Sequence, residues 1–401
     1  MSDGQMYIDP ARNLAAGRGF IAPDPVWYTV RVPPKWIRTV DAPDTIRTPG
    51  YPLVIAAVLA LGLPLPVTIA LQHLLAVITA IAIFLVTERM TGRWRAGLAA
   101  QILFSLTPAV RIFAHQYMSD ILEAAVVLAT ILAVMLAARG SMIWAAVAGL
   151  LSGYATLVRP IALFWFLPLA LILAWRARRA AAVFLAAALV LPGGWMLRNY
   201  GATGVATISS IGGENLLFYR AAAVLVIHDS PPGFGFFALQ RQTGFYHRQE
   251  RWKAPLAGRA FDAMRRDGIE PGTAPHALIA RYYARTATPI LLHHPGEVLE
   301  LAFSALVEMF LGAYIPHGVP GMGLGIFVLV CVGVGLNGLD PLPRALLAAT
   351  LVYFALMAAG AEAEQRFALP FAPAYAIAFG AGVDRMLAAA RARRAGNAGP
   401  S

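Results

Sequence analysis

Long apolar stretches, separated by short polar or arginine-containing segments, dominate this chain between Thr68 and Asp384. A hydrocarbon layer about 30 Å thick needs about 20 largely apolar residues per helix. Backbone polar groups inside that layer must be satisfied within the segment, so each stretch is expected to be helical. Hydrophobic residues make up 59% of the chain and charged residues only 13%, which excludes an ordinary soluble domain. The sequence therefore predicts an all-α polytopic membrane protein.

Nine stretches are predicted to cross the membrane, and a tenth, 298–315, is ambiguous because it carries Glu300 and Glu308. The apolar piece from Tyr51 to Leu65 is broken by prolines and is expected to be an interfacial helix. Together these segments predict a bundle of about nine to eleven transmembrane helices. The nine predicted spans are 67–87, 95–110, 121–138, 142–158, 160–175, 180–197, 318–336, 345–359 and 367–384.

The positions of the arginines predict the orientation of the bundle. Arginines are dense after the first span, after the fifth span and at the end of the chain, and such segments face the cytoplasm. We therefore expect a multi-pass protein of the bacterial inner (plasma) membrane, with its polar loops facing the periplasm. The predicted regions are a first outer loop with interfacial helices (1–66), a transmembrane core (67–197), a small extracytoplasmic cap (198–297), C-terminal transmembrane helices (298–384) and a cytoplasmic tail (385–401).

Composition also excludes several classes of partner. The net charge is +11, yet the arginines lie at span ends, where they set orientation and bind anionic headgroups of membrane lipids, so no nucleic-acid partner is expected. A single cysteine, Cys331, excludes a disulfide within the chain. His115, His293 and His294 lack the spacing of a known metal motif. No metal and no cofactor are therefore predicted.

Most charged residues outside the predicted cytoplasmic loops fall at the outer ends of the spans. Arginine binds phosphate through two parallel hydrogen bonds, and a carboxylate can remove the proton of an acceptor hydroxyl. Ionisable groups near membrane depth tend to be retained where they face a cavity or one another. Such a face suits transfer chemistry on a lipid-linked phosphate, although composition alone fits a transporter equally well. The residues concerned are Asp3, Arg47, Arg111, Asp120, Glu123, Arg159, Arg198, Glu364 and Arg366.

Short motifs along the chain carry a resemblance. They are Asp3-Gly4-Gln5-Met6-Tyr7 near the start, Arg47-Thr48-Pro49-Gly50-Tyr51-Pro52, Trp195-Met196-Leu197-Arg198-Asn199-Tyr200, and Glu364-Gln365-Arg366-Phe367 near the end. In this order they resemble the polytopic GT-C glycosyltransferases of the family 39 type. Familiar members are the protein O-mannosyltransferases and the lipid A aminoarabinose transferase. The resemblance implies a GT-C-like bundle.

The resemblance also implies an activity and a set of site residues. Such an enzyme moves a sugar from a polyprenyl-phosphate donor to a lipid, glycan or protein acceptor, by inverting displacement at the extracytoplasmic face. Asp3 then matches the catalytic base, and Asp120 is a second acid that orients the acceptor or positions Asp3. Arg198 and Arg366 are the leading phosphate ligands, followed by Arg47 and Arg159. Tyr7 and Glu364 complete the substrate pocket.

One feature departs from the family pattern. In the family a transmembrane helix precedes the first aspartate, whereas Asp3 is the third residue here. A catalytic group needs a rigid support, and a chain terminus usually frays. We therefore expect that the start of the sequence is assigned too late and that a first helix lies upstream.

Structural roles are open for each candidate residue. Asp120 could instead act with Ser119 and Glu123 in capping a helix. Arg159 could extend its head group to the interface, and Arg198 could anchor there beside Trp195 and Tyr200. Glu364 and Arg366 could simply pair with each other. At the level of function, a secondary transporter or lipid flippase and a non-catalytic assembly partner are the alternatives.

Overall fold

The computed structural model describes residues 3–23, 41–231, 245–311, 320–360 and 365–397. Its described part is mainly helical, with one small antiparallel sheet in which β1 (Ile21–Pro23) pairs with β2 (Asp41–Pro43). The helices of the first half are α1 Gln5–Ala15, α2 Gly50–Ala60, α3 Pro66–Thr91, α4 Trp94–Leu106, α5 Pro108–Ala114, α6 Asp120–Ala137, α7 Met142–Val158, α8 Phe166–Arg176 and α9 Arg178–Thr203.

The second half contains a folded cap followed by further apolar helices. Its helices are α10 Ile211–Glu214, a π-helical turn Asn215–Ala221, α11 Ala222–His228, α12 Phe245–Arg266, α13 His276–His293, α14 Pro295–Leu311, α15 Pro320–Gly338, α16 Pro341–Ala358 and α17 Ala372–Asn397. Two short 3-10 segments, Pro160–Ala162 and Gln365–Phe371, precede α8 and α17.

Within the described residues, five helices are long and apolar enough to cross a bilayer, or up to seven if each of two bent helix pairs is one span. The chain is therefore a multi-pass, mainly helical membrane protein. Helices α2, α7, α15 and the segment from Pro160 to Arg176 are apolar but shorter. The count of nine to eleven transmembrane helices stays a prediction.

Two predicted spans differ from the helices observed. The stretch 95–110 is divided at Thr107 into α4 and α5, whose axes differ by 56°. Thr107 precedes Pro108, and a residue before proline is driven out of the helical region. The ambiguous stretch 298–315 belongs to a second bent pair, α13 and α14, with an angle of 99° at His294.

Glycines allow two pairs of helices to pack closely. The backbone of α7 approaches α9 at Gly149 and Gly153, where an added Cβ would overlap the carbonyl oxygen of Phe184 or lie 2.8 Å from that of Ala188. Gly335 and Gly382 allow a similar approach between α15 and α17. These glycines confirm that small residues in the predicted spans permit close packing.

The cap has its own apolar core, in which Phe218, Phe261 and Tyr283 pack together. Two stretches with a helical sequence pattern, Leu256–Arg266 and Ala277–Leu291, lie within the longer helices α12 and α13. The cap contacts the first outer loop at Ser210, whose N–H donates to Thr45.

Candidate functional site

Asp3 lies between two arginines from distant parts of the chain. Its carboxylate oxygens accept hydrogen bonds from Arg47 at 3.0 Å and from Arg366 at 3.1 Å. Burial opposes the charged carboxylate, but the two guanidinium groups outweigh it and hold the pKa of Asp3 below its ordinary value. Asp3 is therefore ionised at neutral pH.

Tyr7 joins this cluster to the start of α6. Its hydroxyl lies 3.2 Å from the Ser119 hydroxyl and accepts a hydrogen bond from Arg47 at 3.4 Å. The Arg47 guanidinium also lies over the Tyr7 ring, 4.7 Å from its centroid. Asp3 lies two residues before α1 and Tyr7 lies on it, and both contact the same guanidinium, so the position of Arg47 depends on the start of that helix.

A second ion pair lies next to the first. Arg159, directly after α7, pairs with Asp120 at the start of α6, and both side chains are buried. Ser119 makes no capping hydrogen bond through its side chain, so the Asp120 carboxylate forms an ion pair rather than belonging to a capping box. Arg159 likewise turns inward and does not extend to the interface.

Phe367 connects the two ion pairs. Its ring lies 5.1 Å from the Arg366 guanidinium and 5.5 Å from that of Arg159. Asp3, Arg47, Arg366, Asp120 and Arg159, with Tyr7 and Phe367, therefore form one continuous group, hereafter the aspartate–arginine cluster. Within this cluster three arginines face two aspartates, and the nearby carboxyl groups of Asp44 and Glu123 also interact with Arg47 and Arg159.

The motif around Gly50 explains how Arg47 reaches this cluster. A Cβ on Gly50 would lie 2.6 Å from backbone atoms of Leu157 and Val158, so the chain can approach α7 only as glycine. Tyr154 donates to the Gly50 carbonyl at 3.0 Å and fixes the contact. Arg159 follows Val158 directly, so the same docking places Arg47 and Arg159 at one end of the bundle.

Arg198 lies outside the aspartate–arginine cluster. It donates to the carbonyl oxygens of Asp44 at 2.7 Å and Phe20 at 2.5 Å, and its guanidinium lies 4.9 Å from the Trp195 ring centroid. These contacts fasten β1 and the end of β2 to α9. They give Arg198 a positioning role, and its contact with phosphate stays a prediction.

Sequence reasoning missed three features of this region. Phe367 stood in a quoted motif without a role, since nothing in the sequence marks an aromatic ring as a bridge between arginines. The second feature is a buried chain of hydrogen bonds from Thr45 to Ser210 (3.1 Å), from Ser210 to His276 (2.5 Å) and from His276 to Glu214 (2.8 Å).

The third feature is a cavity of about 160 Å³ between the first outer loop and the cap. Burial raises the pKa of Asp44 to about 6, although hydrogen bonds from the N–H groups of Ile46 and Arg47 partly oppose the shift. Residues lining the cavity include Asp44, Thr45, Ile46, Thr203 and His276.

Two further predicted groups have separate outcomes. Glu364 lies outside the described residues, so its pairing with Arg366 stays a prediction. His115 lies beside His73, with ring nitrogens 3.0 Å apart, whereas the Nδ1 atom of His293 hydrogen-bonds to a backbone carbonyl of its own helix. His294 lies in a different group, with His228 and Glu297.

No protein-family model and no curated protein matches this sequence. Among solved structures, the chain is similar to the archaeal oligosaccharyltransferase AglB from Archaeoglobus fulgidus, in complex with an inhibitory peptide and a dolichol-phosphate. The similarity has a TM-score of 0.45 and 13% sequence identity, and it covers 98% of this chain and 47% of that one. The chain thus spans about half the length of that protein, and a likeness of this size says nothing about substrate or reaction.

Proposed function

We propose that this chain is a membrane glycosyltransferase that transfers a sugar from a polyprenyl-phosphate donor to an acceptor hydroxyl or amide at the extracytoplasmic face. One observation carries the proposal: Asp3 is held between Arg47 and Arg366, beside the buried Asp120–Arg159 pair. A carboxylate held between two guanidinium groups provides a proton acceptor next to groups that bind phosphate.

The proposed step is a single inverting displacement. Asp3 accepts the proton of the acceptor as the acceptor atom forms a bond to the anomeric carbon. The bond between that carbon and the phosphate oxygen breaks, and its electron pair leaves with the polyprenyl phosphate. Arg47 and Arg366 stabilise the charge that develops on this leaving group.

The ion pairs of Asp3 suggest how donor binding prepares the base. Without donor, both arginines neutralise the Asp3 carboxylate and keep its pKa low, which makes it a weak base. A donor phosphate competes for the same guanidinium groups and adds negative charge nearby. Both effects raise the pKa of Asp3. Asp3 therefore becomes a better base only when the donor is in place.

A small apolar groove, with a cavity of about 30 Å³, is our proposed contact for the first part of the donor's polyprenyl chain. Ala368, which directly follows Arg366 and Phe367 in the sequence, lines the groove. A phosphate bound by Arg366 would therefore have its lipid tail next to apolar side chains. Residues lining the groove include Leu103, Phe104, Met309, Phe310, Phe371 and Tyr375.

The remaining candidates receive supporting roles in the proposal. Asp120 and Arg159 fix the floor of the site, and Tyr7 orients Arg47. Arg198 holds the first outer loop, and Glu364 stays a proposed substrate contact. Asp44, which lines the cavity, lies three residues before Arg47 in the sequence. This cavity is our proposed entrance for the acceptor.

The test is sugar transfer by the purified protein in lipid nanodiscs, supplied with polyprenyl-phosphate-linked sugars. Free polyprenyl phosphate is measured by mass spectrometry. Asp3→Asn should lower turnover by about 10²- to 10⁴-fold, the usual contribution of a general base. Asp9→Asn is the matched control, because Asp9 lies six residues further along the chain, on α1, and bonds only locally with Gln5 in the described hydrogen bonds. Equal turnover in wild type and Asp3→Asn would refute the mechanism.

Transport is the second candidate, and Glu123 is the observation that favours it. This carboxyl group is buried one turn into α6, and neither oxygen has a hydrogen-bond partner among the described residues. Buried carboxyl groups in membrane helices often carry protons in transporters. Glu123→Gln should abolish substrate movement into proteoliposomes if the protein transports, and should leave Asp3-dependent sugar transfer measurable if it is a transferase.

A further inference from the structure

Three side chains with metal-ligand chemistry meet where the cap joins α14. His228 ends α11, and His294 and Glu297 lie at the sharp turn between α13 and α14. One ligand atom from each residue lies within 4.8 Å of the other two. The Nδ1 atoms of His228 and His294 lie 2.8 Å and 3.7 Å from the same Glu297 oxygen.

The local fold holds this group in place. Pro295 begins α14, so the chain turns by 99° directly after His294 and returns Glu297 to its side. Beneath the three side chains, Val224 and Ile227 of α11 pack with Leu301 of α14. The group therefore rests on two helices that are fixed to each other by apolar contact, as a binding site requires.

The donor set selects a class of metal. Two imidazoles and one carboxylate suit Zn²⁺, whereas Mg²⁺ and Ca²⁺ prefer oxygen ligands alone. With bond lengths of about 2.0 to 2.2 Å, tetrahedral ligand atoms are separated by about 3.3 Å. The two separations from Glu297, 2.8 and 3.7 Å, lie on either side of that value, and the imidazole ligand atoms lie within 4.8 Å of each other. Side-chain rotations that bring the two imidazoles to a common centre would complete the geometry.

A plain hydrogen bond between His228 and Glu297 is the simpler explanation. It does not account for His294, whose ring lies against that of His228 with centroids 4.3 Å apart. Two imidazoles directed at one carboxylate are arranged as in zinc sites with a fourth, open position. All three side chains are partly exposed, so an ion can reach them from solvent.

We propose that His228, His294 and Glu297 bind one Zn²⁺ ion and thereby fasten the end of α11 to the turn between α13 and α14. The proposal is independent of the glycosyltransferase mechanism, since none of the three residues belongs to the aspartate–arginine cluster.

The experiment is a Zn²⁺ titration of the tag-free protein in detergent, in competition with a chromogenic chelator. The background variant is His115→Ala, which removes the other close histidine pair. His228→Ala, His294→Ala and Glu297→Gln should each weaken Zn²⁺ binding by more than about 10-fold, since loss of even an outer-shell partner costs 10- to 100-fold. His293→Ala is the matched control and should bind as the background does, because its Nδ1 atom bonds within α13.

Two further readouts separate a specific site from surface binding. Zn²⁺ should raise the thermal midpoint of the background protein and of His293→Ala but not of the three ligand variants. Co²⁺ should give the visible absorption of a low-symmetry four-coordinate site only in the proteins that retain the ligands. Equal affinity in His294→Ala and His293→Ala, or no binding by folded background protein, would overturn the proposal.

Discussion

The ion pair between Arg159 and Asp120 provides the sharpest test of how the site is built. We consider Arg159→Met, which keeps an unbranched side chain over Phe367 but removes the charge. The Asp120 side chain is 1% exposed, so it cannot recover its lost partner through water. Breaking a buried ion pair on one side costs about 3–5 kcal/mol. Arg159→Met should therefore lower the free energy of unfolding by that amount.

The double variant Asp120→Asn/Arg159→Met removes both charges at once. Replacing a buried ion pair by uncharged groups of similar volume is often neutral for stability. We therefore expect the double variant to recover most of the stability that Arg159→Met loses. The two substitutions are in contact, so their effects should couple by about 0.5–3 kcal/mol or more.

The assay is thermal unfolding of wild type, Asp120→Asn, Arg159→Met and the double variant in one detergent, monitored by tryptophan fluorescence. Sugar transfer is measured in parallel on the same preparations. A double variant that is stable but transfers no sugar would separate the role of the pair in chemistry from its role in folding. If the two single losses simply add in the double variant, the pair is not an energetic unit and our account of the site is wrong.

Three further predictions use the same measurements. Asp44 has a pKa raised to about 6 in the folded protein, against 3.8 for an ordinary aspartate, so its contribution to stability is complete below pH 3.8 and is lost as the pH rises through 6. Asp44→Asn should therefore raise the thermal midpoint at pH 7.5 but not at pH 4. An unchanged pH profile would contradict this. Gly50→Ala should lower the free energy of unfolding by about 1–3 kcal/mol because its Cβ meets the α7 backbone. Gly193→Ala is the control, since its Cβ meets nothing within 4 Å and should not destabilise the protein. Equal thermal midpoints for the two variants would rule out the close approach. Phe367→Leu should reduce donor affinity several-fold, since each contact between a guanidinium and an aromatic ring contributes about 0.5–2 kcal/mol, and unchanged donor binding would remove Phe367 from the site.

Helix positions were predictable because the membrane environment makes hydropathy a strong signal. The predicted span 121–138 differs from α6, Asp120–Ala137, by one residue at each end. The bend between α4 and α5 was not predicted, since 95–110 was read as one span although Pro108 lies within it. The second bend, at His294, lies just before the ambiguous stretch 298–315. In an apolar run, whether a proline kinks a span or ends it depends on the helices packed around it.

The membership of the site was partly predictable, but its pairings were not. Carboxylates and arginines at span ends predicted that Asp3, Arg47, Asp120, Arg159 and Arg366 would lie at one face, and the structure brings them together. The ion pair between Arg366 and Asp3 joins two motifs at opposite ends of the sequence, and nothing near either residue indicated it, while the pairing of Arg366 with Glu364 stays a prediction. Arg198 showed the same kind of signal, yet its hydrogen bonds are to two backbone carbonyls and to the side-chain oxygen of Asn199. Such choices depend on how the helices cross, which a local pattern does not contain.

The contact between Asp3 and Arg366 joins positions 363 residues apart. During synthesis the amino-terminal segment therefore waits for almost every later helix to enter the bilayer before its acid meets that guanidinium. A chain that ends before residue 366 lacks this contact, and Asp3 then keeps only its ion pair with Arg47 among the described residues. One of the last segments to be made therefore completes the surroundings of an acid near the beginning of the chain.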